Sequence, residues 1–161
     1  MNEAYLILGT NVGNQLNNIE LALKLLELQI GVIKKKSAVY STKAWGYEDQ
    51  PDFLNQAILI ETLFDASTLL NKLLDIEKQL GRVRKVNEVW MQRTMDIDIL
   101  FFNTEIINLA NLTIPHPHLQ NRKFVLTPLI DIASNYIHPQ LNKSIQTLIE
   151  ECTDKLAVKL I

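Results

Sequence analysis

The chain has 161 residues, 47% of them hydrophobic and 21% charged, the balance of a soluble globular domain and not of a disordered chain. Sixteen basic against 18 acidic side chains leave a formal net charge of -2, so no bulk attraction to nucleic acid or to an anionic membrane is expected. The single cysteine, Cys152, excludes a disulfide scaffold and suits a reducing, cytoplasmic compartment. No apolar run approaches bilayer length, and Met1-Asn2-Glu3 lacks the basic start of a secretory signal.

Ala4 to Leu8 is a short apolar run closed by Gly9, the pattern of a buried strand. Leu16, Ile19, Ala22, Leu23, Leu26 and Ile30 recur at helical spacing, and Gly31 ends that helix. Val32 to Tyr40 reads as a second strand interrupted by Lys34-Lys35-Lys36, and Phe53 to Thr62 as a third. Asp65 caps a helix carrying Leu69, Leu70, Leu73, Ile76 and Leu80, with Gly81 at its end. Asp96 to Phe102 is a fourth strand, and Asn103-Thr104 turns it into a short strand at Glu105-Ile106-Ile107. Helical patterns resume over Leu119 to Ile130 and Ser144 to Glu151. The order predicts an α+β fold: a ferredoxin-like βαββαβ antiparallel sheet with helices on its faces and extra C-terminal elements. With no linker in sight, residues 1–161 form one expected domain.

The sharpest chemical signal is Asp96-Ile97-Asp98-Ile99. Side chains alternate faces along a strand, so Asp96 and Asp98 share a face, about 7 Å apart by strand rise. Ile97, Ile99 and Phe101 are expected on the other face, in the core. Neighbouring carboxylates repel unless a cation lies between them, and Mg²⁺ commonly takes one or two carboxylates plus substrate phosphates. The alternative is a solvated strand face, but Leu100 and Phe102 on the aspartate side are apolar. Just upstream, Arg82, Arg84, Lys85 and Arg93 outnumber Glu88, and arginine suits bidentate phosphate binding. Both signs of charge in one segment are what a nucleoside triphosphate with Mg²⁺ requires.

Two further segments read as binding elements. His116 lies between Pro115 and Pro117, which stiffen the loop and fix where its ring points, toward a phosphate or nucleotide. Phe53 and Asn55 share a strand face, an aromatic to stack on a heterocycle beside an amide to bond its edge. Gly9-Thr10-Asn11-Val12-Gly13-Asn14 joins strand to helix but lacks the ending of a Walker phosphate loop, and a zinc site lacks its ligands.

These segments together resemble the 6-hydroxymethyl-7,8-dihydropterin pyrophosphokinase family of folate biosynthesis. The stretches that carry the likeness are Leu8-Gly9-Thr10-Asn11, Asp49-Gln50-Pro51-Asp52-Phe53-Leu54-Asn55, Glu77 through Gly81-Arg82-Val83-Arg84, Arg93-Thr94-Met95-Asp96-Ile97-Asp98-Ile99-Leu100, and Pro115-His116 with Asn121-Arg122-Lys123-Phe124. The resemblance implies a Mg²⁺-dependent transfer of pyrophosphate from ATP to the pterin alcohol, with release of AMP. By the same likeness, Asp96 and Asp98 hold two Mg²⁺ ions, while Arg82, Arg84 and Arg93 neutralise phosphate charge. Glu77, Trp90, Ile99, His116 and Arg122 line the ATP side. Phe53 and Phe124 sandwich the pterin, Asn55 and Thr42 bond its edge, and residues 42–52 and 82–92 act as lids. The chain departs from the family pattern at Met91-Gln92, at Lys43-Ala44 before Trp45, where Trp45 would add cover over the pterin, and at Pro117. ATP and the pterin are the expected partners, with neither nucleic acid nor membrane, and a monomer is expected because nothing marks an obligate interface. A non-catalytic metabolite-binding module of the same topology would leave the aspartates and arginines unexplained. An RNA-binding sheet would want more exposed aromatics than Tyr5 on its first strand.

Overall fold

The structure is a computed structural model that describes residues 1–43, 49–81 and 94–161. In chain order these form β1 (Asn2–Thr10), α1 (Gln15–Gln29), β2 (Gly31–Lys36), β3 (Tyr40–Thr42), β4 (Phe53–Thr62), α2 (Ala66–Gln79), β5 (Asp96–Phe102), β6 (Ile107–Leu109), β7 (Leu112–Ile114), α3 (Lys123–Ala133), α4 (Ile145–Glu151) and β8 (Val158–Leu160). The main sheet is antiparallel, in the order β5-β1-β4-β3-β8, with β2 also paired to β4. The fold is therefore α+β, with four α-helices among the described residues. None of those helices is long and apolar enough to cross a membrane.

Local chemistry explains where the helices begin. Asn14 accepts the N–H of Asn17 at 3.1 Å to open α1, and Asp65 accepts that of Thr68 at 2.7 Å to open α2. Beyond α2, Gly81 takes φ +89, a left-handed stop that costs a glycine little. The apolar stripes of α1 and α2 cover one sheet face, where Ile19, Leu26, Leu69, Leu73 and Ile76 meet Leu6, Leu8, Ile58 and Ile97. On the opposite face α3 and α4 bury Leu126, Leu129, Ile145 and Leu148 against Ile7, Ala57 and Phe101. With both faces covered, β4 is buried along nearly its whole length, which is why its sequence runs apolar instead of alternating.

Four expectations need correction. The strand expected over Val32 to Tyr40 is two strands. From the pair Lys36↔Ile58 to the pair Tyr40↔Asn55 four steps of chain match only three on β4, so pairing breaks between them. In β5 the register shifts beside Leu6, whose partner is Ile99, while Tyr5 pairs with Phe101. Leu100 is the extra residue of a bulge, and the alternation inverts after it. Phe101 therefore packs with Leu100 in the α3 core, while Phe102 joins Ile97 and Ile99 in the α1/α2 core. The strand expected at Glu105-Ile106-Ile107 is instead the hairpin β6–β7, entered through Asn103 at φ 49. The helix expected from Leu119 is a 3₁₀ turn over Leu119–Asn121, then extended Arg122, then α3. β8 was not foreseen: three residues carry too little periodicity to announce a strand.

Candidate active site

The α3 side of the sheet brings the chemistry-bearing residues into rows. Across the sheet, Asp96 pairs with Gly9, Gly9 with Asn55, and Asn55 with Tyr40. One row on, Asp98 pairs with Ile7 and Ile7 with Ala57, both buried under α3. Residues directly opposite in antiparallel strands share a face, so Asp96, Asp98, Gly9 and Asn55 lie on one surface. Thr42 pairs with Phe53 in the neighbouring row, and Asn55 Nδ2 donates to Thr42 Oγ1 at 3.3 Å. Asn55 and Thr42 are each only 4% exposed. Asp96, Asp98 and Phe53 are half-buried.

Gly9 sits between the carboxylate and the amide. A Cβ there would approach Asn55 Oδ1 to 3.0 Å, so the missing side chain keeps a gap open in the middle of the row. Its functional reading was not separable from turn chemistry by sequence alone. The signals were a glycine ending an otherwise apolar strand and its place in Leu8-Gly9-Thr10-Asn11, neither of which says what the glycine faces.

β5 is the edge strand, and its outer side is held from both flanks. Glu77, on α2 and 2% exposed, accepts the N–H of Ile97 at Oε1, 2.8 Å away. On the other flank the N–H of His116 donates to Leu100 O at 3.0 Å. Ile97 lies between the two aspartates, so the Glu77 bond fixes the strand at the centre of the carboxylate pair. The Ile99 side chain is in the α1/α2 core, on the face opposite Asp98. By the period of two, it is the Ile99 backbone that faces the same open edge as that of Ile97.

His116 is held in one tautomer. Its Nδ1 accepts the N–H of His118 at 3.2 Å, so in the neutral ring the proton sits on Nε2 and is available to donate. Burial, with Arg122 and His118 as positive neighbours, lowers its pKa from 6.5 to about 4, against a smaller opposing pull from Asp96. The folded value lies below the unfolded one. The stabilisation from the neutral ring is therefore whole above pH 6.5 and is lost as pH falls toward about 4. An NMR titration of the unliganded protein is expected to place the His116 inflection near 4, and a value near 6.5 would contradict this environment. His118 is exposed and contributes through its backbone.

Arg122 and Phe124 flank the start of α3, with the guanidinium carbon 5.8 Å from the Phe124 ring centroid. The expected residues Trp45, Arg82, Arg84, Trp90 and Arg93 lie outside the described residues, as do most of the two expected lids and Met91 and Gln92. Next to the first of these, Asn11 Nδ2 donates to Gln50 Oε1 at 3.4 Å and Gln15 Nε2 to Asp52 O at 2.9 Å. Residues 50–52 thereby rest on the start of α1.

Among the described residues no group of three or more His, Cys, Asp or Glu is placed to cage a metal ion. Asp96 and Asp98, on one face and half-buried, instead suit a hard cation that takes its other ligands from phosphate and water. That donor set fits a Mg²⁺ ion with several ligands from outside the chain.

The family model described as 7,8-dihydro-6-hydroxymethylpterin-pyrophosphokinase matches residues 5–134. A 2-amino-4-hydroxy-6-hydroxymethyldihydropteridine pyrophosphokinase of Aquifex aeolicus is 39% identical over 155 residues, covering 96% of this chain and 95% of its own. The enzyme of the same description from Bacillus subtilis is 43% identical over 132 residues, 81% of this chain and 78% of its own. Among solved structures, wild-type HPPK-DHPS of Plasmodium falciparum superposes with a TM-score of 0.75 at 20% identity, covering 93% of this chain. This chain spans 44% of that longer protein, so the likeness there is one of fold.

Proposed function

Because the chain belongs to the 7,8-dihydro-6-hydroxymethylpterin pyrophosphokinase family, we propose that it transfers pyrophosphate from ATP to 6-hydroxymethyl-7,8-dihydropterin, a step of folate biosynthesis. The observation that supports this reading at the residues is the row Asp96–Gly9–Asn55, which sets a half-buried carboxylate and a buried amide either side of a gap. In the reaction the pterin hydroxyl oxygen bonds to the β-phosphorus of ATP. The bond from that phosphorus to the α-phosphate oxygen breaks, AMP leaves, and the hydroxyl proton is released.

Phosphoryl-type transfer asks a protein mainly to position its reactants and balance charge. Asn55 and Thr42 would bond the edge of the pterin, and Phe53 and Phe124 would stack on it. Trp45 would cover it. His116 would donate from Nε2 to the nucleotide, with Arg122 beside it, and Ile99 would meet the base through its backbone. Glu77 would lie on the nucleotide side, on the outer edge of β5, which it holds through its bond from the Ile97 N–H. Arg82, Arg84, Trp90 and Arg93 complete the nucleotide side in this reading. Two Mg²⁺ ions held by Asp96 and Asp98 would supply charge neutralisation at the phosphates and acidify the attacking hydroxyl.

The same proposal takes the β1-α1-β2-β4-α2-β5 order, with β1 between β4 and β5, as ferredoxin-like. It also takes the chain as one domain working as a cytoplasmic monomer, a setting that its lone cysteine suits.

The test is a nucleotide product assay with the pterin alcohol, with and without Mg²⁺. AMP released in proportion to pterin diphosphate, and only with the metal, supports the reading. ADP as product, or pterin binding with no turnover, overturns it. Gly9→Ala is expected to raise the pterin KM about fivefold, with ATP KM little changed, because its methyl intrudes beside Asn55. Steady-state kinetics varying each substrate in turn would check this. A stable Gly9→Ala protein with unaltered pterin KM would remove the gap from the site.

A further inference from the structure

Helix α3 begins without the cap its own sequence should provide. The N-cap is Arg122, whose side chain has donors and no acceptor, and it makes no capping bond. The acceptor comes from 31 residues beyond Lys123: Asp154 Oδ2 takes the Lys123 N–H at 3.0 Å, and Oδ1 takes that of Leu156 at 3.0 Å. A carboxylate is also the group that the positive end of a helix favours.

Shortly after Asp154 the same segment becomes β8. It pairs antiparallel with β3, Thr42 opposite Val158 and Tyr40 opposite Leu160, and Ile161 N–H donates to Val39 O at 3.1 Å. A strand of three residues has no stability of its own, so β8 depends on β3 for its shape. α3 and β3 are tied a second time by Asp131, which accepts from the Tyr40 hydroxyl at 2.9 Å and from the Ala38 N–H at 3.1 Å. The segment thus starts at the helix end that carries Arg122 and Phe124 and finishes on the strand that carries Thr42.

We propose that residues 154–160 are a strap that sets the spacing between Phe124 and Thr42, with Asp154 a positioning residue for pterin binding. This rests on the functional reading above. The strap touches the pterin's two supports from behind: one end orders the first turn of α3, and the other completes the outer edge of β3. Loosening either end lets Phe124 and Thr42 separate, so pterin affinity falls while bond-making at saturation is spared.

The experiment uses the full chain. Pterin affinity is measured by calorimetry with a nonhydrolysable ATP analogue and Mg²⁺, alongside thermal unfolding and steady-state kinetics. Asp154→Ala is expected to weaken pterin binding about fivefold, the equivalent of the roughly 1 kcal/mol lost with an N-cap, and to leave kcat within about twofold. Asp154→Asn keeps an acceptor oxygen and should return affinity to within about twofold of the parent. If Asp154→Ala fails to fold, Lys159→Pro serves in its place. It leaves Asp154 intact, removes a backbone donor from the middle of β8, and should weaken pterin binding similarly. A folded variant of either kind that melts lower yet holds pterin as tightly as the parent would overturn the strap and leave the enzyme reading intact. A parent protein that neither binds pterin nor releases AMP would overturn both.

Discussion

Replacing Asp98 by alanine is expected to lower turnover about a thousandfold, because the Mg²⁺ this carboxylate would hold supplies several kcal/mol of stabilisation to the phosphate charge of the transition state. Asp98 lies on the α3 face of edge strand β5, opposite Ile7, one row from Asp96 and Gly9. Its half-burial places a charge where water screens it only in part. Asp98→Asn keeps the shape and removes the charge, so it should fall nearly as far as alanine. The protein should remain folded in both variants, since Ile97, Ile99 and the two cores are untouched. AMP release under saturating substrates, with thermal unfolding as the control, checks the claim. An Asp98→Ala protein within tenfold of the parent would remove the metal from this strand.

Glu77→Ala should have the largest effect on stability. The carboxylate is buried in α2, and its Oε1 receives the N–H of Ile97. Truncation strands that N–H on a buried edge strand and leaves a small cavity, which together cost about 3 kcal/mol. For a chain of this size that lowers the melting midpoint by roughly 9 °C. Glu77→Gln retains an acceptor oxygen and should recover more than half of the loss. Activity in the alanine variant should respond more steeply to Mg²⁺ concentration, because the residue it frees sits between Asp96 and Asp98. Calorimetric melting of the three proteins decides this, and a midpoint unmoved in Glu77→Ala would show that β5 holds its place without α2.

The two aspartates on one face, the Asn55 amide beside Phe53, and the positioned His116 all follow from alternation and from flanking prolines. Each reading is local, and the registers put Asp96 with Asp98, and Phe53 with Asn55, on shared faces as alternation predicts. The inversion after Leu100 is different. Nothing in Asp-Ile-Asp-Ile-Leu-Phe-Phe announces a bulge, because every residue there suits either face of a sheet covered on both sides. The partners of Glu77 and Asp154 were also invisible, lying 20 and 31 residues away in the chain.

The strands β1, β4 and β5, the helices α1 and α2 between them, the shared face of Asp96 and Asp98, and the family itself were determined by the amino-acid sequence, since periodicity and motif are properties of neighbouring residues. Only the tertiary structure decided that Gly9 separates Asp96 from Asn55, that α2 grips β5 through Glu77, and that a segment near the chain's end caps α3 and borders β3. Each of these depends on pairing register or on a bond between distant segments. Such contacts form when the chain folds its layers together to bury two cores and satisfy the backbone, and no short window of residues contains both halves.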